Sequence, residues 1–130
     1  MKEQLLHYIW QWRKLPLNGL QLTSGEAIRI QAPGMPNRFS GPDFLNAQIE
    51  IGSTTWVGHV ELHRNSSLWY AHDHQDDPNY QNVILHVVWE HDKEVITANK
   101  VPLPTLQIRD YISQSRLTDL KEIQSELHTP

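Results

Sequence analysis

The stretch FLNAQIEIGSTTWVGHVELH, residues 44–63, constrains this chain more than any other. Two runs of alternating apolar and polar residues, 44–51 and 55–63, flank a Gly-Ser-Thr turn, the signature of a β-hairpin with one buried face. Register decides what the hairpin presents, because a one-residue slip moves a whole set of side chains to the other face. A two-residue loop pairs Ile51 with Thr54 and sets Asp43 opposite Leu62; a three-residue loop pairs Ile51 with Thr55 and sets Asp43 opposite His63. The longer loop, or a bulge near Gly58, puts Asp43 on one face with His59, Glu61 and His63, and this is the expected arrangement.

Around the hairpin the pattern alternates between helix and strand. Leu5, Leu6, Ile9, Trp10 and Trp12 or Arg13 recur near the helical period, and Pro16 with Asn18-Gly19 ends them, which predicts a helix over 2–14 with Trp10 and Trp12 packed on a sheet. LQLTSGEAIRI reads as two short strands around Ser24-Gly25. QAPGMPNRFSGPDF is a Pro- and Gly-rich loop that delivers Asp43 to a strand start. After the hairpin, Asn65 or Ser66 is placed to cap a short helix limited by Pro78. NVILHVVWE, apolar on both faces except at His86, fits a central strand reached by a parallel, right-handed crossover. Residues 95–98 and 104–109 read as outer strands. The last segment reads as an amphipathic helix on Tyr111, Leu117, Leu120, Ile123 and Leu127, with Asp119, Lys121, Glu122 and Glu126 solvated. The fold class expected is α/β, or α+β with a mixed central sheet, flanked by helices on both faces.

Composition narrows the function classes. A chain of 130 residues with 38% hydrophobic content suits a single domain over 1–130. With no cysteine, disulfide scaffolds, thiolate metal sites and cysteine nucleophiles are excluded, so a metal would rest on histidines and carboxylates. Lys2, Glu3, Gln4 and His7 interrupt the apolar N-terminal stretch, which therefore reads as neither signal peptide nor membrane span, and a cytoplasmic location is expected. A net charge of −4 argues against a general coat for nucleic acid but leaves room for local arginines.

The polar residues of the hairpin carry the chemistry. Same-face neighbours along a strand lie ~6.6 Å apart and adjacent strands ~4.8 Å apart, so the Asp43 and Glu61 carboxylates can meet at one cation, without which they would repel. The plainer roles are a turn-capping Asp43 after Gly-Pro, and a Glu61 paired with Arg64 or a histidine. His59 reads as a cross-strand partner or a ligand. HDHQDD, with His72 and His74 among Asp73, Asp76 and Asp77, reads as a solvated loop, a second metal site or a wall of a groove. His86 is either a satisfied core histidine or a contributor from the neighbouring strand. Gln48 and Glu50 lie on a face that register decides, and Trp69 and Tyr70 anchor the helix or stack on a base.

The order helix, strand, hairpin, helix, strand, with Pro42-Asp43 opening the second strand and Glu61-Leu62-His63 ending the third, resembles the PD-(D/E)xK restriction-endonuclease-like nucleases over about residues 2–90, with outer strands and a C-terminal helix at 91–130. The resemblance implies a three-layer core of order α-β-β-β-α-β. It also implies Mg²⁺, or Mn²⁺, held by Asp43, Glu61 and the main-chain carbonyl of Leu62. His63 stands where that family has its lysine, and an imidazole with an ordinary pKa near 6.5 can accept a proton at neutral pH. The wider pattern GPDF…NAQIEI…GHVELH…NVILHVV, about residues 41–92, resembles a bacterial family known only as a domain of unknown function.

These readings lead to a first expectation of a Mg²⁺-dependent nuclease with Asp43, Glu61 and His63 at its centre and Arg38 or Arg64 on the phosphates of DNA or RNA. The rivals are a nuclease-like binding module without turnover, and a zinc or manganese hydrolase built on His59, Glu61, His63 and His72 or His74. A homo-oligomer and a further C-terminal region stay open.

Overall fold

The computed structural model describes residues 1–127. Its elements are α1 (Glu3–Gln11), β1 (Ile28–Ala32), β2 (Met35–Pro36), β3 (Phe44–Ile51), β4 (Thr54–Asn65), α2 (Leu68–Ala71), β5 (Val83–Glu90), β6 (Thr105–Gln107) and α3 (Gln114–Leu127). The sheet runs β1-β3-β4-β5-β6, with β2 on the edge beside β3. β1, β3 and β4 are antiparallel neighbours, whereas β4, β5 and β6 are parallel. This is a mixed α+β architecture of the coarse class read from the sequence.

The alternating pattern of the hairpin sorts its residues onto two layers. Phe44, Ala47, Ile49, Val60 and Leu62, with Leu85 and Val87 of β5, form the main core against Leu5, Leu6, Ile9 and Trp10 of α1 and Leu117 and Leu120 of α3. Burying one such side chain contributes about 1.5–3 kcal/mol, so α1 is held by packing; Trp10 Nε1 also donates to the Pro33 carbonyl at 2.9 Å. On the opposite face lies a smaller cluster of Trp69, Val83, Val95 and Leu103. The doubly covered, parallel strand expected at NVILHVVWE is β5, with Glu61 opposite His86.

Several expectations change in detail. Helix α1 stops at Gln11 and Arg13 adopts a left-handed backbone (φ 52°), so Trp12 leaves the helical register and is 58% exposed instead of joining the core. The two strands expected around Ser24-Gly25 reduce to a Gln21–Ala27 bridge ahead of β1. Neither Asn65 nor Ser66 caps α2: Asn65 ends β4, and buried Ser66 accepts from the Asp92 and Lys93 amides while donating to the Lys93 carbonyl. Residues 95–98 contribute only an Ile96–Pro102 bridge. In α3 the buried face ends at Leu120, so Ile123 is exposed, while the Leu127 side chain and the expected continuation to residue 130 lie outside what is described.

The hairpin register positions the site. The turn is the two-residue Gly52-Ser53, with Gly52 supplying φ 60°, and Ile51 pairs with Thr54, not Thr55. Asp43 nevertheless reaches the face of Glu61, through a bulge opposite Gly58–Val60: between Ala47↔Gly58 and Phe44↔Val60, β3 spends one residue more than β4. Asn46, at φ 57°, takes the left-handed conformation of the bulge, one that asparagine tolerates better than most residues.

Candidate metal centre

Beyond the bulge, Asp43 and Glu61 lock together through the backbone. Asp43 Oδ2 accepts from the Leu62 amide at 2.8 Å, and Glu61 Oε1 accepts from the Asp43 amide at 3.1 Å. From α1, His7 Nε2 comes to 3.7 Å from Asp43 Oδ1. Glu61 and His63, two residues apart on β4, face the layer formed by α2 and the turns after it, and both are almost wholly buried.

That layer supplies the other imidazoles. His72 ends α2, Asp73 reverses the chain in a left-handed conformation (φ 57°), and His74 opens a 3₁₀ turn. The reversal sends both rings back toward β4, where His63, His72 and His74 each offer a ring nitrogen within 4.8 Å of the others. His74 is fixed by stacking on Tyr80, centroids 3.8 Å apart, and by an edge contact with Trp69 at 5.2 Å. Glu61 Oε2 lies 2.8 Å from His74 Nε2 and 3.5 Å from His63 Nε2. Behind the cluster, His63 Nδ1 meets His86 Nε2 at 2.8 Å, and His86 is wholly buried. Its other nitrogen, Nδ1, has no partner among the described residues.

Burial sets the protonation of this group. It raises Glu61 to about 10, with Asp43 adding to the effect, and lowers His63 to about 2, with the surrounding histidines adding to it. His86 falls to about 3 for the same first reason, His74 is also lowered, and the Tyr80 phenol is raised by burial and by Glu61 and Asp43. At neutral pH a protonated carboxyl therefore stands among neutral imidazoles. The 2.8 Å approach of Glu61 Oε2 to His74 Nε2 thus joins a carboxyl raised by burial to an imidazole lowered by burial. Neutral imidazoles, each with one lone pair to give, beside a carboxyl whose proton a cation can displace are a donor set that fits a divalent transition metal.

The other residues singled out in the sequence stand apart from the cluster. His59 Nδ1 accepts from the Asn46 amide at 3.2 Å and so secures the bulge. Gln48 reaches Gln31, and Glu50 approaches Arg29 at 3.9 Å. Arg38 and Arg64 are exposed, and Leu62 points into the main core. The sequence reading missed His7 and Tyr80: His7 was visible only as a polar position in a helix, and nothing in NYQNV signals the stack on His74.

Fold and site together define an α+β protein with a buried histidine–carboxylate centre between β4 and the α2 layer. The chain belongs to the family described as "Protein of unknown function (DUF2851)", which it matches over residues 3–130. No curated protein and no solved structure matches it. Among the described residues no helix is long and apolar enough to cross a membrane.

Proposed function

We propose that this chain is a metal-dependent hydrolase whose Zn²⁺ or Mn²⁺ is held by His63, His72 and His74, with Glu61 beside them. The observation that carries the reading is the convergence of three ring nitrogens within 4.8 Å next to a buried carboxyl. Nitrogens sharing one zinc stand ~3.4 Å apart, so a small inward turn of the rings suffices. The three imidazoles favour Zn²⁺ over Mg²⁺, which prefers oxygen ligands, and Mn²⁺, itself oxygen-preferring, depends more on the Glu61 carboxylate. When bound, such an ion supplies Lewis acidity and makes water acidic enough to attack at neutral pH.

The chain's own residues have separable tasks. His63 and His74 hold their rings rigidly from the buried side, while exposed His72 forms the edge open to solvent and substrate. Glu61, once a cation has displaced its proton, can take a proton from water at Oε2. Asp43 fixes the backbone beside Glu61 through the Leu62 amide. A phosphodiester is the proposed substrate class, supported by a mixed sheet in which Asp43, just before β3, and Glu61, within β4, lie side by side.

The test is metal analysis of the purified protein, followed by reconstitution of metal-free protein with Zn²⁺, Mn²⁺ or Mg²⁺ and assay on single- and double-stranded DNA and RNA. Stoichiometric Zn²⁺ or Mn²⁺, and cleavage lost in a folded His74→Ala variant, are expected. A protein that takes up neither ion would sink the proposal.

A further inference from the structure

A second feature lies away from the metal centre and shares no residue with it. Between the C-terminal end of α1 and the N-terminal end of α3 is a groove of about 430 Å³ with Arg13, Lys14 and Arg116 on its walls. The chain carries 11 Lys and Arg against 15 Asp and Glu, yet three cations and no carboxylate line this groove. Their charges are uncompensated: Lys14 and Arg116 have no acidic partner among the described residues, and Arg13 spends one N–H on the Gln31 carbonyl. A guanidinium has five donors, so that single bond orients Arg13 and leaves others for a ligand.

The walls are built before any ligand arrives. The Lys14 amide donates to the Ile9 carbonyl and the Arg13 amide to the Trp10 carbonyl, which closes the end of α1. Across the groove, Tyr111 is tied to Gln21 twice, its hydroxyl donating to the carbonyl at 3.1 Å and accepting from the amide at 2.9 Å. Ser113 Oγ accepts from the Arg116 amide at 3.2 Å, and the first turn of α3 has no acidic residue. The positive end of a helix dipole therefore adds to the three side-chain charges. Leu15, Pro16 and the Tyr111 ring give the groove an apolar side.

We infer that this groove is a binding site for a phosphate monoester with a compact ring body, of mononucleotide size: paired guanidinium groups for the phosphate, and the apolar side for the body. The volume falls in the range of small-molecule sites, and guanidinium groups match phosphate oxygens in bidentate fashion. Nothing in the inference depends on the metal reading.

The experiment titrates metal-free protein with adenosine monophosphate, adenosine and inorganic phosphate, following amide shifts by NMR at fixed ionic strength. Saturable binding of the monophosphate is expected, at least tenfold tighter than inorganic phosphate, with shifts at Tyr111 and Ser113. It should weaken at least tenfold in Arg13→Gln/Arg116→Gln and persist in His74→Ala. Both arginines are exposed, so the double variant should fold, which its spectrum checks; Lys14→Gln alone should weaken binding less. No saturable binding, binding unchanged in the double variant, or equal affinity for inorganic phosphate and the monophosphate would overturn the inference, the last outcome marking a bare anion site.

Discussion

Glu61 concentrates the chemistry of the molecule in one side chain. It is buried, accepts an amide from Asp43, touches two imidazoles and is held neutral. Because it is neutral in the metal-free protein, Glu61→Gln should change stability by no more than about 1 kcal/mol, as an isosteric replacement that keeps its hydrogen-bonding capacity does. Metal uptake and hydrolysis should both suffer, since an amide cannot supply the negative charge; calorimetric titration with Zn²⁺ or Mn²⁺ separates the two effects. The same protonation states predict a turnover in stability with pH. Glu61 has a raised folded pKa, so its contribution is full below its unfolded value and is lost as pH rises through about 10. His63 and His86 have lowered folded pKa values, so theirs is full above the ordinary imidazole value and is lost as pH falls toward about 2 to 3. Between the ordinary carboxyl and imidazole values the lowered histidines, His74 among them, outweigh the one carboxyl and stability rises with pH; above about 6.5 the large shift of Glu61 dominates and stability falls. Urea unfolding of metal-free protein should thus show a maximum near pH 6.5, and a midpoint still climbing at pH 8 would contradict the assignment.

Among the elements, the β3–β4 hairpin does most to place the site, and its bulge is the part that matters. Phe44 and Val60 pair in the core only because Asn46 absorbs one residue, and Asp43 then falls opposite Glu61. Asn46→Val puts a β-branched residue into a left-handed conformation and should cost about 1–2 kcal/mol, whereas Asn46→Gly should be nearly neutral. The loss should carry a functional signature, with metal affinity falling in Asn46→Val as Asp43 and Glu61 lose their alignment. On the partner strand, Gly58 has no room for a side chain: a Cβ would sit 2.5 Å from Ile84 Cγ2 and 2.7 Å from the Asn82 carbonyl. Gly58→Ala should therefore destabilise by about 1–3 kcal/mol, measured by thermal unfolding. The hairpin, the parallel crossover and the nearness of Asp43 to Glu61 were legible in the sequence, because alternation and strand order are local signals. The choice between a longer loop and a bulge was not, since both bring Asp43 to the same face and the deciding interaction, the Asn46 amide on His59, spans the two strands.

For the whole molecule, the cluster of His63, His72 and His74 with Glu61 brings the α2 layer onto the sheet. His72 and His74 lie on a segment of short turns whose apolar anchorage is a small cluster around Trp69, while His63 belongs to the central strand β4. HDHQDD could be read in the sequence as ligands or as a solvated loop, and His72 or His74 as a partner of Glu61 and His63 in one rival reading; that both rings join, and that His59 does not, depends on the left-handed turn at Asp73 and the bulge at Asn46. A cation bridging segment and strand binds only the folded chain, so its binding energy adds to stability by RT ln(1 + [L]/Kd), about 2.7 kcal/mol at a hundredfold excess over Kd. For a domain of this size that corresponds to a rise of roughly 10 °C in Tm. The rise should appear with Zn²⁺ or Mn²⁺, and fall to a small residue in His74→Ala and in His72→Ala. His72 is exposed, so its replacement leaves the metal-free fold intact and isolates the ligand role from packing. Hydrogen exchange places the effect: amides of 68–80 should gain protection on metal addition far more than those of α1 or α3. Uniform protection across the chain, or an equal Tm rise in His72→Ala, would mean that the cation binds elsewhere.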